Sequence, residues 1–148
     1  MPEKTTLKRA REDKREGKAT STQAGEFVRE EIEHVRHGKH GARSTKQAIA
    51  IGLSKARRAG VKLPPPEKGQ ASEATRKQAA RDMSKAKSHR KPSAKRSKAV
   101  RAALKHEGRS AASHDALSRQ AKTAARKRGP TARKRAAKKA AATRKRSH

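Results

Sequence analysis

The sequence predicts an all-α fold: a short helical hairpin head followed by loosely packed or disordered basic, Ala-rich helices. Apolar residues recur at helical spacing between residues 24 and 59. Alanine, the strongest helix former, supplies 29 of the 148 residues. Only fifteen larger apolar side chains remain, with Phe27 the sole aromatic, too few to fill a domain-sized core. Nine of the fifteen (Phe27, Val28, Ile32, Val35, Ile49, Ile51, Leu53, Val61 and Leu63) lie between 27 and 63, so the core is expected there.

Residues 1–20 read as a charged N-terminal arm, 21–66 as the hairpin module and 67–148 as the basic tail. The first helix starts after Ser21 or Thr22, both good N-caps, and stops at Gly38. Ala24, Phe27, Val28, Ile32 and Val35 share one side, with Arg29, Glu30, Glu33 and Arg36 on the other. Glu31 falls inside the apolar stripe, where a basic residue of the next helix is expected to neutralise it. The second helix runs from Ser44 or Thr45 to near Gly60. Its apolar face is Ala48, Ile49, Gly52, Leu53, Ala56 and Ala59, and Lys46, Gln47, Ser54, Arg57 and Arg58 lie largely opposite. Gly52 and the alanines let the two helices approach closely. Val61 and Leu63 fold back on the pair before Pro64-Pro65-Pro66 ends the unit.

Beyond the prolines, helix-prone stretches run from Ser72 to about Lys87, from Pro92-Ser93 to Gly108, from Ser113 to Gly129-Pro130, and from Thr131 onward. They carry too little apolar surface to pack firmly, so they are expected to be helical when a polyanion neutralises them. His37–Gly60 and His106–Gly129 are both 24 residues long, each passing from His through a Ser-led helix to a basic end and Gly. They are two uses of one helix grammar or a duplication.

Charge directs the functional reading. The chain holds 43 Lys+Arg against 13 Asp+Glu, a formal charge of +30, and a domain so charged repels itself unless it meets a polyanion. Residues 1–40 are net +2, 41–83 net +7 and 84–148 net +21. The tail clusters are Arg126-Lys127-Arg128, Arg133-Lys134-Arg135, Lys138-Lys139 and Arg144-Lys145-Arg146. Alanine spacers distribute these charges around every face of a helix, unlike a membrane-surface helix, which needs an apolar face. Neutralising roughly 6–10 phosphates gives affinity through counterion release and a steep salt dependence. Without aromatic rings to stack bases in the tail, duplex DNA is favoured over single-stranded RNA.

In the head, Lys39, Arg43, Lys46, Arg57 and Arg58 are the candidate nucleic-acid contacts. The loop His37-Gly38-Lys39-His40-Gly41-Ala42-Arg43-Ser44 offers two glycines, two basic residues and a helix N-terminus, which suits one phosphate. An ordinary capped turn is the equal alternative, and the P-loop spacing is absent. A helix-turn-helix would present the second helix, but the six residues Gly38 to Arg43 exceed its usual turn of roughly 3–4. His34, His37 and His40 recur at three-residue spacing near Glu30 and Glu33. Because Gly38 breaks the helix that would align them, they read as exposed titrating histidines and no metal or cofactor is expected. Ser113-His114-Asp115 are adjacent and form no triad, and little apolar material exists to wall a pocket, so no enzyme is expected. The absence of cysteine excludes disulfides and fits a reducing cytosol. No signal peptide or membrane span is read, so a cytoplasmic, nucleoid-associated location is expected.

Residues 21–66, above all Lys46 to Gly60, resemble a family of small basic bacterial proteins whose domain has no known function. That resemblance implies a bacterial source and a small helical module, not an activity. Residues of about 119–147 are similar to the linker-histone-like tails of some bacteria. The leading expectation is a histone-like protein that binds duplex DNA through its phosphates, with the 21–63 module docking a partner or a second copy. An RNA- or ribosome-associated protein, and an adaptor that binds a protein through its acidic helix face, are the alternatives.

Overall fold

The computed structural model describes residues 1–86, 88 and 93–146. Its regular elements there are helical: α1 (Lys4–Arg15), α2 (Thr20–Arg36), α3 (Thr45–Arg58), α4 (Glu73–Lys85), α5 (Ala94–Lys105), a 3-10 turn (Ser110–Ala112) and α6 (His114–Arg146). The expected limits at Lys87 and Pro92 lie outside the described residues.

The segment read as a charged arm folds as α1 and packs on α2. Thr6, Ala10 and Asp13, spaced four and three residues apart, are its buried face, and Leu7 joins Ala10, Ala24, Phe27 and Ala56 in one core cluster. Leu53, Val61 and Leu63 complete that cluster, so the chain after α3 folds back as expected. Covering α2 from this side buries Glu30, which helical periodicity had put on the polar face. Its carboxylate accepts the Glu3 backbone N–H at 3.0 Å and lies 3.5 Å from Lys55 Nζ.

The pairing of α2 with α3 follows from Gly52. A Cβ there would come within 2.6 Å of the Val28 Cα, so no larger residue permits this approach. Ser44 caps α3 by accepting the Gln47 N–H, and Gln47 Oε1 accepts the N–H of Arg43. Ser72 caps α4 in the same way through Thr75. The α4 helix lies against α3, where buried Asp82 accepts from Ser54 Oγ at 2.6 Å and Arg58 Nε at 2.9 Å.

The loosely packed or disordered tail expected from the sequence is corrected. Ser113 Oγ accepts the Ala116 N–H to start α6, which continues to Arg146 and departs from helical geometry at Gly129. Local i to i−4 bonding in an alanine-rich chain is enough to form the helix. Its beginning is docked: Ala111 and Ala112 are buried with Ile32, Val35, Ala42 and Ala48, and Leu117 packs on them. Gly41 N–H donates to Leu104 O and Ala42 N–H to Gly108 O. A Cβ on Gly41 would fall 1.8 Å from the Glu107 carbonyl oxygen. Small residues on both loops make this contact, and alanines leave no signal in a search for large apolar side chains.

Candidate nucleic-acid interface

The α6 helix carries thirteen Lys or Arg and one acid, Asp115, and buries none of its residues. Arg126, Lys127, Arg128, Arg133, Lys134, Arg135, Lys138, Lys139, Arg144, Lys145 and Arg146 are all exposed. None of the ion pairs among the described residues reaches α6. Pro130 follows the break at Gly129, so the clusters at 126–128 and 133–146 stand on successive helical runs with different axes.

Part of the charge of the head is neutralised internally. Arg9 faces Glu26 at 3.8 Å, and Lys18 reaches Asp13 at 2.9 Å and Glu16 at 2.7 Å. These hydrogen bonds, Glu16 first, push the Lys18 pKa upward. Of the acidic side of α2, Glu30 and Glu31 are buried, Glu26 also pairs with Arg29, and Glu33 is exposed.

The head residues expected to contact phosphate are not brought together. Lys39 Nζ lies 2.9 Å from Glu3 Oε1, and Arg58 is held by Asp82. Arg57, placed on the polar face of its helix, is a correction: its side chain turns inward to donate to the Leu63 and Pro64 carbonyls at 3.1 and 3.3 Å. Burial lowers its pKa, with Asp82 acting in opposition. A guanidinium so placed holds the polyproline strap instead of facing solvent. Of these five, only Arg43 and Lys46 stand exposed with no ion pair among the described residues.

In the loop 37–44, the Gly41 and Ala42 N–H groups are spent on Leu104 and Gly108 and are not free for a phosphate. The loop is nevertheless one wall of an open cleft whose other wall brings Lys105 and Arg109 beside Lys39, with Glu107 between them. Those two cations were missed because docking of the α5 corner depends on Gly41 and buried alanines.

The histidines separate. His37 is exposed as expected, but His34 and His40 retain only 14% and 17% of their side-chain surface. The turn at Gly38 that ends α2 carries His40 back over Glu31, so the His34 and His40 rings meet edge to face with centroids 6.0 Å apart. Nε2 of His40 lies 3.1 Å from Glu31 Oε1, and Lys55 Nζ lies 2.6 Å from Oε2. Lys55 is the basic residue expected on the next helix. Neither oxygen is in hydrogen-bonding geometry with a partner, despite these short distances. Donor atoms of Glu31, His34 and His40 all lie within 4.8 Å of one another. His34 Nε2 and Lys39 Nζ also hold Glu3, lowering its pKa to about 2, the Lys39 hydrogen bond having the larger effect.

No helix among the described residues is long and apolar enough to cross a membrane. No curated protein and no solved structure gives a significant match to the chain. Residues 4–68, which run from the first residue of α1 through α3 and the polyproline strap, match a family of unknown function (DUF6496).

Proposed function

We propose that this protein binds the sugar-phosphate backbone of nucleic acid, duplex DNA above all, without reading base sequence, as a histone-like, nucleoid-associated protein. The observation that carries the reading is the contrast in charge pairing: most acids of residues 1–82 pair with nearby cations, while the cations of α6 have no acidic partner among the described residues. Unpaired cations on a helix exchange condensed counterions for phosphates, which supplies affinity without base contacts. The likeness of the C-terminal segment to bacterial linker-histone-like tails fits the same chemistry.

Fluorescence anisotropy on random-sequence duplexes tests it. Affinity should fall with salt along a log–log slope of about −0.9 for each phosphate contacted. Removing residues 130–148 leaves the buried Ala111 and Ala112 and their partner Leu117 in place and should flatten that slope. Salt-insensitive binding, or an unchanged slope after truncation, would overturn the proposal. Structured RNA as competitor distinguishes the preferred polyanion.

A further inference from the structure

We propose that Glu31, His34 and His40 form a zinc(II) site that ties the end of α2 to the following loop. The three donors lie within 4.8 Å of one another, and two of them, His40 Nε2 and Glu31 Oε1, are 3.1 Å apart. Tetrahedral zinc with bonds of about 2.0–2.2 Å separates its ligands by about 3.3–3.5 Å. Small side-chain adjustments therefore close the site with no movement of the helices. Glu3, whose carboxylate lies 3.0 Å from His34 Nε2, stands outside this group of donors, so the fourth position is left to water.

Three observations distinguish this cluster from a chance group of polar residues. Glu31 is 1% exposed, and its two oxygens meet His40 Nε2 at 3.1 Å and Lys55 Nζ at 2.6 Å outside hydrogen-bonding geometry, although a buried carboxylate ordinarily secures several well-aligned bonds. His40 places Nδ1 3.0 Å from the Gly41 carbonyl. With zinc bound, Nδ1–H would donate there and leave the Nε2 lone pair for the metal, the usual arrangement of a metal-bound histidine. Gly41 is itself fixed by its bond to Leu104 O and by the close Glu107 carbonyl, so the ring is oriented from behind.

Charge balance points the same way. Among the described residues, Glu3, Glu30 and Glu31 pair with two ammonium groups, Lys39 and Lys55. Three carboxylates against two ammonium groups leave room for a cation, and two imidazoles with carboxylates suit zinc better than magnesium or calcium. Lys55 then remains outside the coordination sphere on Glu31 Oε2.

Calorimetric titration of ZnCl2 into the untagged, EDTA-treated and dialysed full-length protein tests the site. One zinc should bind per chain, and CoCl2 should give the intense visible absorption of tetrahedral cobalt. His34→Gln and His40→Gln should each weaken binding by more than the about 10–100-fold that a lost outer-shell partner costs, while His37→Gln should leave it unchanged. No saturable binding by the wild-type protein, no tetrahedral cobalt spectrum, or equal binding by the His34 and His40 variants would each overturn the proposal. Because the first two readouts use unaltered protein, a variant that fails to fold does not remove the test.

Discussion

Arg58 donates its Nε–H to Asp82 Oδ1 at 2.9 Å, joining a guanidinium half open to water to a carboxylate only 1% exposed. The asymmetry makes the two partners unequal under substitution. Asp82→Ala releases Arg58 to solvent and should cost about 1–3 kcal/mol. Arg58→Ala leaves the buried carboxylate without its cation and should cost more, about 3–5 kcal/mol. Urea unfolding of both variants checks the order.

Arg57 and the α6 cations should separate stability from binding. Arg57→Gln removes the donors to Leu63 O and Pro64 O and should destabilise the head by about 1–3 kcal/mol. Its duplex affinity, measured well below the melting temperature, should be unchanged. Glutamine at Arg133, Lys134 and Arg135 together should leave the melting temperature alone and reduce the magnitude of the salt slope by up to about 2.7.

Alanine should have opposite effects at two helical glycines. At Gly25 nothing lies within 4 Å of an added Cβ, so Gly25→Ala should stabilise by about 0.4–1 kcal/mol. At Gly52 the Cβ meets the Val28 backbone; overpacking of about 1–3 kcal/mol outweighs the similar propensity gain. Thermal melts of the two variants should shift in opposite directions.

Glu3 gives an acid-sensitive contribution. Its carboxyl is lowered from 4.5 to about 2, first by the hydrogen bond from Lys39 and then by that from His34. A lowered folded-state pKa means the contribution is complete above the ordinary value and is lost as pH falls through about 2. The stability difference between wild type and Glu3→Gln should therefore shrink between pH 5 and pH 2. A constant difference in urea midpoints would show that the carboxylate is not the source.

The hairpin was legible because Phe27, Ile32, Val35 and Leu53 recur at helical spacing and Ser44 caps α3; the start of α2 was misplaced, since it begins at Thr20 behind Ala19 with no side-chain cap, not after Ser21 or Thr22. Also legible were the close approach at Gly52 and the need for a cation near Glu31, which Lys55 meets. Two features were hidden for different physical reasons. The α1 helix buries Thr6, Ala10 and Asp13, a face that no hydropathy pattern marks. The docking of 104–117 rests on Gly41, Ala42, Ala111 and Ala112, where closeness of backbones replaces large side chains. That docking also determines which head cations face the cleft, and burial of Arg57 depends on carbonyls that periodicity cannot locate. The meeting of His40 with Glu31 was concealed by the turn at Gly38: a helix break rules out alignment along one axis but permits a return over it.

The departure at Gly129 gives α6 a property that its composition does not. A straight helix of 33 residues would be a rod of about 50 Å, touching a cylinder of phosphates along one tangent. Two shorter rods meeting at an angle can each take a tangent of their own. On the proposed reading, the second set of cations would be steered independently of the first, and curvature of a bound polyanion would be accommodated through that joint.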